Sequence, residues 1–142
     1  MTDQGSGYTP GDDELRAMLR EVRTIAVVGL SSRPDRHSYN VADYLEQVGY
    51  RIIPVNPNEA EVLGERAYES LLEVPDPVDL VDVFRRAEFT PEVARQAVQV
   101  GAKVLWLQLG ITNEEARRIA EEAGLSVIMD ACLMIEHDRL QP

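Results

Sequence analysis

Short apolar runs separated by amphipathic stretches set the rhythm of this chain. The runs at Ile25–Val28, Arg51–Val55, Leu80–Phe84, Lys103–Leu109 and Ser126–Met129 are too short for stable helices and read as strands. Their near-continuous apolar character, rather than strict alternation, is that of strands covered on both faces. Between them the period changes to that of a helix. Leu15, Met18, Leu19 and Val22 fall at i, i+3, i+4 and i+7, behind an acidic opening turn of Asp12, Asp13 and Glu14. Val41, Tyr44, Leu45 and Val48 mark a helix over Tyr39–Val48 that closes on Gly49. Pro91–Val100 follows Thr90 as N-cap, with Pro91 at the first helical position, and closes on Gly101. Asn113–Ala123 has Thr112 and Glu115 in capping-box spacing and closes on Gly124. A shorter helical piece fits Ala67–Leu72, ahead of the Pro75 and Pro77 pair.

Strand and helix alternating through short connections predict βαβ units. The expected fold is α/β: a three-layer, Rossmann-like domain with a mainly parallel sheet of about five strands. Helices cover both faces, and one more precedes the first strand. Residues 1–10, rich in Gly and Ser, are expected to be a flexible N-terminus, with 11–142 a single domain.

In such a sheet ligands bind where the strands end, near the point at which strand order reverses. The first strand runs into Gly29, Leu30, Ser31, Ser32, Arg33, Pro34, Asp35, Arg36, His37 and Ser38, a loop of small and basic residues that opens a helix. Gly29 permits a tight turn, and a helix N-terminus offers unpaired N–H groups and a positive dipole end to an anion. The next two strands end in Val55-Asn56-Pro57-Asn58 and Val83-Phe84-Arg85-Arg86. The last two end in Gln108-Leu109-Gly110-Ile111 and Met129-Asp130-Ala131-Cys132. Arg33, Arg36, His37, Arg85 and Arg86 would therefore collect on one edge.

Charge makes that edge informative. The net charge is −11, which argues against a nucleic acid partner and sets a local basic cluster against the global sign. The loop is not a dinucleotide fingerprint, because Ser31 and Pro34 stand where G-x-G-x-x-G needs glycine, and no Gly-Lys-Ser/Thr occurs. Nor does an acid follow the second strand to hold a ribose 2′-hydroxyl; Glu59 lies past Pro57. A receiver-type phosphorelay domain would need an acid pair after the first strand, where this chain has Gly29, Leu30 and Ser31.

Catalytic constellations are sparse. Cys132 is the single cysteine, which excludes an internal disulfide and suits a reducing, cytoplasmic setting. A Cys132/His137 nucleophile–base pair or a metal site from Asp130, Glu136 and His137 is conceivable. Against the pair, Cys132 after a buried strand reads as a packed small hydrophobe. No catalytic and no metal-binding residues are assigned. No apolar run approaches the ~20 residues of a membrane span, and none forms a signal peptide core.

With VVGLS at 27–31, IPVNPN at 53–58, VDLVDVFRRAEF at 78–89, GAKVLWLQLGI at 101–111 and MDACLMIEH at 129–137, the chain resembles the small stand-alone bacterial CoA-binding proteins. Their domain is similar to the N-terminal CoA-binding domain of the succinyl-CoA synthetase α subunit. The resemblance covers about residues 13–140 and implies a ligand, coenzyme A or an acyl-CoA. It implies that Gly29, Leu30, Ser31, Ser32 and the helix opening near Ser38 bind the pyrophosphate, and that Val55, Asn56 and Pro57 wall the adenine–ribose end. Val83, Phe84 and Arg85 would line the pantetheine channel, with Gln108 and Gly110 at its thiol end. The synthetase relatives carry a lysine after the corresponding proline that meets the ribose 3′-phosphate. Asn58 and Glu59 stand there here, so Arg33 or Arg36 would have to replace it. Relatives often carry Arg in the segment that reads Asp130-Ala131-Cys132. A second, phosphohistidine-bearing domain has no counterpart, and His137 does not stand in for it. The implied function is CoA binding without ligase chemistry, as a homodimer or beside a CoA-ligase partner. The alternatives are a small NADP- or CoA-dependent enzyme, or a regulatory subunit of a CoA ligase.

Overall fold

The computed structural model describes residues 10–142. The expected flexible segment 1–10 therefore lies, but for its last residue, outside the described residues. Helix α1 (Asp12–Glu21) leads into strand β1 (Thr24–Val28), helix α2 (His37–Gln47) and strand β2 (Arg51–Val55). A small hairpin of β3 (Glu61–Val62) and β4 (Glu65–Arg66) precedes β5 (Leu80–Val83) and helix α3 (Thr90–Gln99). Strand β6 (Val104–Leu107), helix α4 (Glu114–Glu122), strand β7 (Ser126–Ile128) and helix α5 (Leu133–Leu140) complete the chain.

The main sheet has the order β2-β1-β5-β6-β7, and every neighbouring pair is parallel. From β1 the chain steps outward to β2, returns past β1 to β5, and then continues outward through β6 and β7. Strand order thus reverses between β1 and β5, where the following loops leave toward opposite faces and open a crevice.

Strand parity sorts the core into two layers. Ile25, Val27, Ile52, Leu80, Val104, Trp106 and Ile128 face α1, α2 and α5. Ala26, Val28, Ile53, Val55, Val81, Val83, Leu105, Leu107 and Val127 face α3 and α4. Each fully buried Leu, Ile or Val contributes roughly 1.5–3 kcal/mol of transfer free energy. Trp106 is fully buried, and its indole Nε1 donates to the Ala131 carbonyl at 2.9 Å, so its one polar atom is satisfied.

The expected three-layer α/β architecture is observed, with differences at its joints. Strands predicted at Leu80–Phe84 and Lys103–Leu109 are shorter, ending at Val83 and Leu107. Thr90 is the first residue of α3 and not its N-cap; its hydroxyl donates to the Ala87 carbonyl at 2.6 Å. Asn113, and not Thr112, caps α4, accepting from the Ala116 N–H at 2.8 Å. The helical piece expected over 67–72 is a 3-10 turn at Leu71–Glu73, capped by Ser70. Helix α5 and the hairpin are additions to the pattern read from sequence.

Candidate ligand-binding site

Gly29 is where three strand ends meet. Its N–H donates to the Val55 carbonyl at 2.8 Å, and its φ is +90°. A Cβ at this position would lie 2.4 Å from the Phe84 carbonyl oxygen, so the exits of β1, β2 and β5 approach one another only because no side chain intervenes. Leu30 then turns into the core and is fully buried.

The loop that follows is laced by its own hydroxyls. Ser38 Oγ accepts from the Ser31 N–H at 3.1 Å, and Ser31 Oγ accepts from the Arg33 N–H at 3.1 Å. The Ser32 N–H donates outside the loop, to Glu59 Oε2 at 2.9 Å. Arg36 is the N-cap position of α2 and places no side-chain acceptor on the helix opening, so orphan N–H groups remain there. Asn56 joins this loop to the exit of β2. Its Nδ2 donates to the Leu30 carbonyl at 3.0 Å while its Oδ1 accepts from the Asn58 N–H at 2.9 Å.

Beside this junction, on the α3 side of the sheet, lies a cavity of about 430 Å³. Gly29, Val55, Asn56, Pro57, Phe84 and Arg85, all named from the sequence, line it. Its far wall was not named: Ser70 and Leu71 of the 3-10 turn, and Phe89, Glu92, Val93 and Gln96 at the start of α3. The Arg85 guanidinium lies over the Phe89 ring, 4.8 Å from its centroid. A basic residue and an exposed aromatic four apart after a strand end were the sequence signal for that wall.

The remaining sequence-named residues are elsewhere. Ser31, Ser32, Arg33, Arg36 and Ser38 form the adjoining loop without lining the cavity, and Arg33 is paired with Asp35 at 3.2 Å. Val83 is fully buried in the core. Gln108 is also buried, on the opposite side of the sheet, and does not open on the cavity. Gly110 lies beyond β6 and donates its N–H to Asp130 Oδ1 at 2.7 Å.

The α1/α2/α5 side holds its own polar contacts. Gln108 Nε2 donates to Asp82 Oδ1 at 2.6 Å, leaving Asp82 Oδ2 and Gln108 Oε1 buried without partners among the described residues. Burial pushes the Asp82 carboxyl up to about 7, against the smaller opposing effect of the Gln108 hydrogen bond. Cys132 lies 3.6 Å from the Nε2 of His37, not beside His137. His137 Nδ1 instead meets the Tyr44 hydroxyl at 2.9 Å, and burial holds its imidazole below the ordinary range. The conceived Cys132/His137 pair is therefore not assembled. Among the described residues no cluster of three or more His, Cys, Asp or Glu could hold a metal ion, and no helix is long and apolar enough to cross a membrane.

With this geometry in view, comparison with known proteins is specific. The family described as CoA binding domain matches residues 23–138. The uncharacterized protein YneT of Bacillus subtilis (strain 168) is 46% identical over 128 residues, covering 90% of this chain and 95% of the relative. A hypothetical protein from Pyrococcus horikoshii OT3 superimposes with a TM-score of 0.92 at 39% identity, covering 100% of both chains. The α subunit of acetate–CoA ligase (ADP-forming) II from Pyrococcus furiosus is 32% identical over 124 residues, covering 80% of this chain and 27% of that subunit. The chain thus spans about a quarter of the length of that ligase subunit.

Proposed function

The chain belongs to the CoA binding domain family, and from that premise we propose that it binds coenzyme A, free or acylated, at the junction of β1, β2 and β5. The observation that carries this reading is the cavity of about 430 Å³ at the strand-order reversal, next to a helix opening whose N-cap residue, Arg36, supplies no side-chain cap. Its volume falls within the roughly 300–1,000 Å³ of small-molecule pockets.

The lining favours one end of the ligand over the other. Glu69 and Glu92 are two acids against the single Arg85, so the cavity is a poor place for phosphates. Its apolar walls and the Asn56, Ser70 and Gln96 side chains suit an uncharged, hydrogen-bonding adenine–ribose unit. The diphosphate then falls outside, toward the Ser31–Ser38 loop and the N-terminus of α2, where N–H donors and the dipole favour negative charge. In that loop Arg33 is engaged with Asp35, whereas the Arg36 guanidinium has no partner among the described residues and is the basic group left for the 3′-phosphate. Neither histidine lines the cavity: His37 lies against Cys132 and Phe84, and His137 against Tyr44 and Tyr50. This supports a binding role without ligase chemistry in these residues.

Calorimetric titration with coenzyme A, dephospho-coenzyme A and NADP tests the reading. Saturable binding of coenzyme A is expected, weakened by loss of the 3′-phosphate and by added salt, which screens exposed charge. Binding of NADP with no response to coenzyme A would overturn it. Native mass spectrometry of freshly purified protein gives an independent check as an adduct of coenzyme A mass.

A further inference from the structure

Glu59 puts a negative charge where the proposed ligand would bring its own. The carboxylate reaches the Ser32 N–H at 2.9 Å, across from the loop after β2 to the loop after β1. It is held there by its own turn: the Glu59 N–H donates to the Asn56 carbonyl at 3.2 Å, and the Asn58 N–H to Asn56 Oδ1 at 2.9 Å. Asn56 is in turn tied to the Leu30 carbonyl at 3.0 Å, so the two loops are already fastened together two residues before Ser32 and three before Glu59.

A carboxylate oxygen accepting a backbone N–H in a strand-to-helix loop makes the same charge-assisted bond as a phosphate oxygen. The neighbouring loop amides are already satisfied within the loop, Ser31 by Ser38 Oγ and Arg33 by Ser31 Oγ. Of these three successive amides only that of Ser32 donates to a group outside the loop and α2, and Glu59 occupies it. The carboxylate is half-buried and has no cationic partner among the described residues, so its charge is not neutralised locally.

We propose that Glu59 is an internal competitor for ligand phosphate: its carboxylate holds the Ser32 N–H in the free protein and gives way when a diphosphate arrives. It thereby sets affinity and selects among ligands by the charge they bring to the loop. This deepens, and rests on, the assignment of coenzyme A to the site.

The experiment is calorimetric titration of coenzyme A into the wild-type chain, Glu59→Gln and Glu61→Gln. The last removes an equal charge from β3, outside the cavity and the loop. Glu59→Gln is expected to bind about fivefold more tightly than wild type, and Glu61→Gln within about twofold of it. Binding detected only in Glu59→Gln would support the proposal equally. Equal or weaker affinity in Glu59→Gln, or the same gain in both variants, would overturn the role of Glu59 and leave the site assignment standing. No binding in any of the three proteins would overturn the site assignment and the proposal with it.

Discussion

The two helical layers are built on opposite parities of the same strands, yet they are filled differently. The α3/α4 layer is packed with small residues; Ala94, Ala97, Ala116 and Ala120 are all fully buried and let these helices lie close to the sheet and to each other. The α1/α2/α5 layer uses larger groups, Trp106, Leu30, Leu45 and Leu133, and encloses Asp82 and Gln108. It also holds the Cys132–His37 and Tyr44–His137 contacts. The layer rich in reactive side chains turns them on one another. The layer that is almost wholly apolar borders the cavity at its strand-end edge. Residue chemistry alone is thus a poor guide to the cavity in this fold; where the backbone leaves space is the better one.

The largest effect is expected at the seam between the layers. Gly29→Ala would put a Cβ 2.4 Å from a backbone oxygen, at a φ of +90° that L-residues rarely adopt. The obstacle belongs to the exit of β5, so relief requires moving a strand end. We expect a loss of about 3 kcal/mol or more in urea unfolding, together with loss of coenzyme A binding. Gly124→Ala isolates the backbone contribution: its φ is +93° but its Cβ would meet open space. It should cost about 1 kcal/mol. Equal costs at the two positions would refute the close approach of β1 to β5.

Much of this seam was legible in the sequence because parallel sheets force strand ends together. Gly29, Asn56, Pro57, Phe84 and Arg85 were placed at strand ends by the hydrophobic pattern and given site roles by the family resemblance, and the cavity does bring them together. Gln108 was misplaced although the signal existed. It shares parity with Trp106, so it points to the α2 side of the sheet, and its partner Asp82 lies in register with Trp106. The wall formed by Ser70, Leu71 and the first turn of α3 depends on how the crossover from β2 to β5 packs, which local pattern does not encode. Helix α5 was missed because it is only eight residues long and its N-cap position, Cys132, supplies no side-chain cap. Its buried leucines at 133 and 140 stand two turns apart. The hairpin turns on Leu63 and Gly64, both with positive φ, and leucine in that conformation carries no sequence signal.

A second test separates the layers by pH. Asp82 titrates near 7 in the folded chain against 3.8 for the ordinary carboxyl. Between those values the folded state holds a proton that the unfolded state has released. Stability from this group is therefore fully present below about 3.8, falls as pH rises, and is lost above about 7. Asp82→Asn removes the titration and supplies an N–H₂ that the unpartnered Gln108 Oε1 can accept from. At pH 8 the variant should be more stable than wild type by about 2 kcal/mol, and at pH 5 the difference should be markedly smaller. Denaturant unfolding at the two pH values checks this. A variant less stable than wild type at pH 8 would show that Asp82 is held ionised.

The smallest effect is expected at Cys132, the residue whose chemistry looked most suggestive. Its thiol is almost fully buried and 3.6 Å from His37 Nε2, but it does not line the cavity. Cys132→Ala removes one sulfur from a packed site, a change of about 1 kcal/mol by comparison with single methyl deletions. Affinity for coenzyme A should stay within about twofold of wild type, because that sulfur makes no part of the proposed site. His37 connects the two regions. It sits at the start of α2, beside the loop that follows β1, and its ring meets Phe84 edge-on at 6.0 Å while Phe84 lines the cavity. Should Cys132→Ala weaken coenzyme A binding well beyond its cost in stability, the coupling must run through His37 and Phe84. The separation of a self-contained polar layer from a cavity-bearing layer would then fail at that point.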